Sequence, residues 1–147
     1  MARRKRRVPR EPYRSNYEDD IAHWLEDNGI DFTYETYSYE YTAPVRKNRS
    51  RCEDCGSKNL VHEGWYTPDF FVGDNLVVEA KGRFTATDRK KIKAVRDTVP
   101  ELKDKLVMML MCDNKLSKLA KMRYSDWCDN EGIDWVVGTE LKKEWLT

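Results

Sequence analysis

The chain has no apolar run long enough to cross a bilayer. Its longest, residues 106–112 (LVMMLMC), falls far short of the roughly 20 residues a membrane helix needs. The N-terminus carries charge with no apolar segment behind it, so no secretory leader is expected. There is no internal repeat, and no low-complexity tract beyond residues 1–10. Cysteine is scarce, at 4 of 147 residues. Without a secretion signal, that points to a reducing, cytoplasmic compartment, and to thiols or metal ligands rather than a disulfide framework.

Net charge is nearly absent too: 27 Lys+Arg against 26 Asp+Glu give +1. The balance conceals an asymmetry. Residues 1–10 (MARRKRRVPR) hold six basic residues and no acid, and the remainder carries 21 basic against 26 acidic side chains, a net −5. The chain is an acidic body with a basic arm at residues 1–13. Like charges, with Pro9 and Pro12, keep such an arm from ordering alone. An acidic body needs a local basic element to approach a polyanion, so Arg3, Arg4, Lys5, Arg6 and Arg7 are candidate phosphate contacts.

What is present suits one domain over residues 14–147, with 39% hydrophobic residues to form a core. Tyr17, Ile21, Trp24 and Leu25 recur at helical spacing, and Ser15 with Glu18 reads as a capping box, predicting a helix over 16–28. Aromatics alternate over 31–45 as in a strand, with a parity slip that suggests a bulge. Residues 46–63 are polar and turn-rich, and read as an inserted loop. Two short strands follow, 66–72 and 76–81, around Gly73-Asp74-Asn75. A helix over 88–98 is stopped by Pro100, with Arg89, Lys90, Lys91, Lys93 and Arg96 facing out. Residues 106–112 read as a central strand covered on both faces. Short helices are expected at 115–123 and 125–131, and a last strand at 134–137. That order makes a mixed α/β domain.

The hairpin at 69–81 carries the chemistry. With its turn centred on Asp74, Asp69 lies across from Glu79. Glu79 and Lys81 share one face; Leu76, Val78 and Ala80 take the other, toward the core. Like charges placed opposite one another destabilise a sheet, and one ammonium does not balance two carboxylates. A hard divalent ion with oxygen ligands would. A solvated edge with an ordinary Glu–Lys pair is the plainer reading of the same residues.

Pro68-Asp69 followed by Glu79-Ala80-Lys81 resembles the PD-(D/E)xK nuclease signature. More narrowly, the chain is similar to the phage endonuclease I family of junction-resolving enzymes. The likeness runs in order through Arg14-Ser15 with Glu18-Asp19, Gly29-Ile30, Tyr66-Thr67-Pro68-Asp69-Phe70, Val78-Glu79-Ala80-Lys81-Gly82, Asp88-Arg89-Lys90-Lys91, Pro100–Leu102, and Trp127-Cys128 with Gly132-Ile133. The resemblance implies a mixed-sheet PD-(D/E)xK core in a strand-exchanged homodimer acting in the host cytoplasm. It implies hydrolysis of four-way (Holliday) junctions and branched DNA, leaving 5′-phosphate ends. Asp69, Glu79 and the Ala80 carbonyl would hold Mg²⁺ or Mn²⁺, and Glu18, if not committed to the helix cap, would complete the acidic site and help hold a second ion. Lys81 would orient or activate the attacking water and stabilise charge on the phosphate. Arg89, Lys90, Lys91 and Lys93 would contact backbone phosphates. Each site would take its helical glutamate from one chain and its hairpin from the other.

Cys52-Glu-Asp-Cys55-Gly56 departs from that pattern. C-x2-C followed by glycine is half of a tetrahedral Zn²⁺ site. His62 with Cys112, or the same two cysteines of a second copy, could complete it; two free thiols at a loop tip is the other reading. Cys112 and Cys128 are expected in the core. Two other functions fit the residues: a non-catalytic nucleic-acid-binding protein with a zinc knuckle, and a PD-(D/E)xK nuclease acting on linear duplex.

Overall fold

A computed structural model describes residues 6–44 and 61–146. Helix α1 (Asn16–Asp27) starts at its expected cap, where the Ser15 hydroxyl accepts the Glu18 N–H at 3.2 Å. Its stripe of Tyr17, Ile21, Ala22 and Leu25 is buried, and each fully buried large apolar side chain contributes about 1.5–3 kcal/mol. Strands β1 (Phe32–Tyr34) and β2 (Tyr39–Pro44) replace the single strand expected over 31–45. They belong to different sheets, so the parity slip marks a change of sheet rather than a bulge. Between them Glu35 has φ 50°, a left-handed conformation uncommon outside glycine. Strand β3 (Val61–Tyr66) pairs antiparallel with β2, Tyr39 opposite Tyr66. The region expected to be loop therefore ends in a strand. Cys52 and Cys55 lie outside the described residues.

The main sheet adds β4 (Phe70–Val72), β5 (Leu76–Lys81), β6 (Leu106–Leu110) and β7 (Asp134–Val137), in the order β1-β4-β5-β6-β7. Its β1, β4 and β5 are antiparallel; β5, β6 and β7 are parallel. Phe70 pairs with Val78 and Val72 with Leu76, the register expected of a turn centred on Asp74. Gly73, at φ 57°, makes that turn feasible.

Helix α2 (Ala86–Thr98) joins β5 to β6 and starts two residues early because Thr85 caps it in a box with Asp88. It stops at Thr98 because Val99 precedes Pro100, which disfavours helical backbone there. Helix α3 (Tyr124–Glu131) precedes β7. Residues 115–123 form no helix where one was expected; Lys115 and Arg123 make an isolated bridge and Leu119 is 98% exposed. Within this segment Leu116 packs against the core while Leu119 does not, so a helix here would bury too little to offset its nucleation. Among the described residues no helix is long and apolar enough to cross a membrane.

Alternation along the central strands builds two cores. Leu76, Val78, Ala80, Val107 and Met109 pack with α1; Val77, Leu106, Met108 and Leu110 pack with α2, α3 and the small β2–β3 sheet. Cys128 is buried in the second core, as expected, and burial pushes its thiol up to about 12. Cys112, expected in the core, is exposed, because β6 ends at Leu110.

Candidate active site

Asp69 sits just before β4 and reaches across the hairpin. Its Oδ2 accepts the Ala80 N–H at 2.8 Å. Glu79 follows the parity read from the sequence, but its face is not solvated: the small sheet and α2 cover it, and Glu79 is 6% exposed. Its Oε2 accepts the Tyr66 hydroxyl at 2.5 Å, and its Oε1 lies 3.4 Å from Lys81 Nζ. Lys81 Nζ is also 3.5 Å from Asp88 Oδ1, in the first turn of α2. The other Asp88 oxygen accepts the Thr85 N–H at 3.0 Å. One chain of contacts thus runs from Tyr66 through Glu79 and Lys81 to the cap of α2.

These contacts set the charges. Burial, then the nearby Glu79, pushes the Asp69 carboxyl from an ordinary 3.8 up to about 8. Burial also raises Glu79, against the opposing pull of Lys81. For Lys81, burial acts downward, but Glu79, Asp88 and Asp69 outweigh it and hold the amine above its ordinary value. Lys81 is therefore an ammonium at neutral pH. Asp88 stays below the usual carboxylate range despite burial, held by the Thr85 N–H and hydroxyl and by Lys81.

Glu18, Asp69, Ala80 and Lys81 line one cleft of about 580 Å³, shared with Arg14, Glu35, Trp65, Thr67 and Lys91. That size is within the range of pockets holding small organic molecules. Glu79 lies beneath the cleft wall, on Tyr66 and Lys81. Glu18 is held at the helix start: the Ser15 hydroxyl donates to its Oε1 at 3.1 Å, and the Tyr34 hydroxyl donates to its Oε2. Capping and cleft-lining therefore coexist: the Glu18 backbone serves the cap while its carboxylate faces the cleft.

The expected DNA contacts are divided. Lys91 lines the cleft, its Nζ 5.8 Å from the ring centres of Tyr41 and Tyr66. Arg89 donates to the Phe84 carbonyl at 2.5 Å, Lys93 lies 3.6 Å from Glu131, and Lys90 is exposed. Arg3, Arg4 and Lys5 lie outside the described residues; Arg6 is exposed. The described part of the arm rests on α1. Arg7 lies 2.7 Å from Asp20, and Arg10 Nε 2.7 Å from the buried Asp19. In this state Arg7 is engaged with the acidic body rather than displayed for phosphate.

A sequence profile of the family described as phage endonuclease I matches residues 1–147. The chain belongs to the phage endonuclease I family. It is 34% identical over 121 residues to Endodeoxyribonuclease 1 of Enterobacteria phage T3, covering 82% of this chain and 68% of that protein. It is 30% identical over 134 residues to Endonuclease I of Escherichia phage T7, covering 91% and 78%.

In this member of the endonuclease I family, the sequence marked Arg14, Tyr66 and Asp88 only as part of the family likeness, with no role at the site, and did not mark Glu35. Asp88 was legible as the fourth residue of a T-x-x-D cap. Tyr66 and Glu35 act across strands, and no local pattern announces them. Glu35 joins two walls of the cleft: its N–H donates to the Asp69 carbonyl at 3.0 Å, and its carboxylate lies 3.1 Å from Arg14. Among the described residues no three His, Cys, Asp or Glu side chains form a ready-made metal cage. The donor set still fits a hard dication. A buried Glu79 and a half-buried Asp69 lie beside one ammonium, burial and then Glu79 drive the Asp69 carboxyl upward, and Mg²⁺ needs few protein oxygens, taking water and phosphate for the rest.

Proposed function

We propose that the chain is a metal-dependent DNA endonuclease that resolves four-way junctions and related branched DNA. The observation that carries this is the convergence of Asp69, Glu79 and Lys81 at one end of the hairpin, beside a cleft that Glu18 also lines. Asp69, Glu79 and the Ala80 carbonyl, with Glu18 alongside, would hold Mg²⁺ or Mn²⁺, which when bound supplies Lewis-acid polarisation of the scissile phosphate.

The chain's own residues do the rest. Lys81 is charged, so it acts as an electrostatic partner for negative charge developing on the phosphate, not as a base. Tyr66 fixes one oxygen of Glu79, and Asp88 holds Lys81 from the far side. Lys91 and Arg14 meet the flanking phosphates, contacts that position DNA without reading sequence.

A two-fold homodimer suits paired cuts on opposed strands. Here α1 and the hairpin of one chain line the cleft; strand exchange would keep those contacts and change which copy supplies Glu18. Cys52 and Cys55, with a matching pair from a second copy, are the proposed structural Zn²⁺ ligands. Metal analysis of purified protein should find zinc that Cys52→Ser removes.

The deciding experiment incubates the protein with a four-way junction and with a linear duplex of the same sequence, each with Mg²⁺ or with chelator. Mg²⁺-dependent cuts confined to the junction are expected, abolished by Glu79→Ala and by Lys81→Ala while junction binding persists. Binding without cuts under any divalent ion would support a non-catalytic binding protein instead. Equal cutting of both DNAs would indicate a duplex nuclease.

A further inference from the structure

We propose that Trp65 is a stacking platform for an unpaired nucleobase next to the scissile phosphate, an inference that rests on the nuclease reading of the cleft. Trp65 is 67% exposed, an unusual position for the largest apolar side chain. It lines the cleft that holds Asp69 and Lys81, and also borders the neighbouring groove with Tyr37, itself 59% exposed. Its strand is anchored. Trp65 pairs with Glu40 in the β2–β3 ladder, and the next residue, Tyr66, is buried and bonded to Glu79. Adjacent strand residues point to opposite faces, so the strand that fixes Glu79 inward displays the indole outward.

The surroundings select the occupant. Arg14, Lys81 and Lys91 share the cleft with the indole. A nucleotide satisfies both, placing phosphate on the cations and a base on the ring. An apolar protein face would cover the indole but strand those charges out of water. A base within a duplex is already stacked on both sides, so the indole would engage an unpaired base, as found in bulges and in the single-stranded flaps of branched DNA.

The test uses the full chain in chelator, so that binding is read without cleavage. Three probes are compared: a duplex with one unpaired adenine, the same duplex with an abasic residue there, and a fully paired duplex. Trp65→Ala should weaken binding to the adenine-bulged probe on the order of 10- to 100-fold, with little change for the other two. Trp65→Phe should retain most of the preference. Indole fluorescence should be quenched by the bulged probe in the native protein, and this component should be missing in Trp65→Phe. Equal losses on all three probes, or no loss on the bulged one, would overturn the proposal. So would conversion of a dimer to a monomer by Trp65→Ala in sedimentation, which would assign the indole to a contact between copies. The nuclease reading fails separately, if the native protein cuts no DNA with Mg²⁺ or Mn²⁺ whatever residue 65 is.

Discussion

Replacing Asp69 by Asn should stabilise the metal-free protein at pH 8 while abolishing cleavage. In the folded chain the Asp69 carboxyl is pushed from 3.8 up to about 8, by burial and by Glu79. Unfolded, it returns to the ordinary value. Between those limits the folded state binds the proton that the unfolded state has lost. Stability therefore falls as pH rises, and the decline stops above about 8. The slope is about 1.4 kcal/mol per pH unit, so the three units from pH 5 to pH 8 remove about 4 kcal/mol. Asn keeps an oxygen to accept the Ala80 N–H at this site and does not titrate. The advantage of Asp69→Asn over native protein should widen by that amount across the same range. At roughly 2–4 °C per kcal/mol for a domain near this size, the melting temperatures should diverge by about 10 °C. The assay is thermal unfolding of both proteins in chelator from pH 5 to 9, repeated with saturating Mg²⁺. The ion should raise the native protein's melting temperature most at high pH and leave Asp69→Asn nearly unmoved. A constant difference across pH, or a variant less stable than native at pH 8 in chelator, would refute the reasoning.

Tyr66→Phe leaves Glu79 Oε2 without its 2.5 Å donor in a buried site, and hydrogen bonds to charged groups contribute about 1.5–3 kcal/mol. Denaturant unfolding in chelator should show a loss of about 2 kcal/mol, with a further loss of Mn²⁺ affinity by calorimetry; unchanged values would show that Tyr66 is only packing. Phe70→Ala empties a fully buried site ringed by Tyr13, Phe32 and Tyr34, and should cost about 3–5 kcal/mol in the same assay. Gly132 ends α3 at φ 68°, and an added Cβ would lie 3.1 Å from Arg96 Nη2. Gly132→Ala should therefore lose about 1–2 kcal/mol, and a variant as stable as native would show that the turn relaxes.

The hairpin was legible because its information is local. A turn at Gly73-Asp74-Asn75 sets the register, the register sets the parity, and the parity puts Lys81 on the same face as Glu79. Helix α1, the end of α2 and strand β7 were equally readable, since a cap, a proline or a short apolar run marks each. The failures share a different cause. The aromatic segment over 31–45 has strand character throughout, and nothing within it reveals that its halves join different sheets. Likewise, the alternation in β5 identifies two faces without saying that both are covered.

Sequence by itself determined the family, the chemical types at the site and their order along one hairpin, because side-chain period and turn geometry are properties of neighbouring residues. Tertiary structure decided how those groups behave. Packing of β3 and α2 over Glu79 buried it, brought Tyr66 to Glu79 and Asp88 to Lys81, raised the Asp69 carboxyl and kept Lys81 charged. Desolvation and Coulomb interaction depend on what lies across space, so they appear only when distant segments meet.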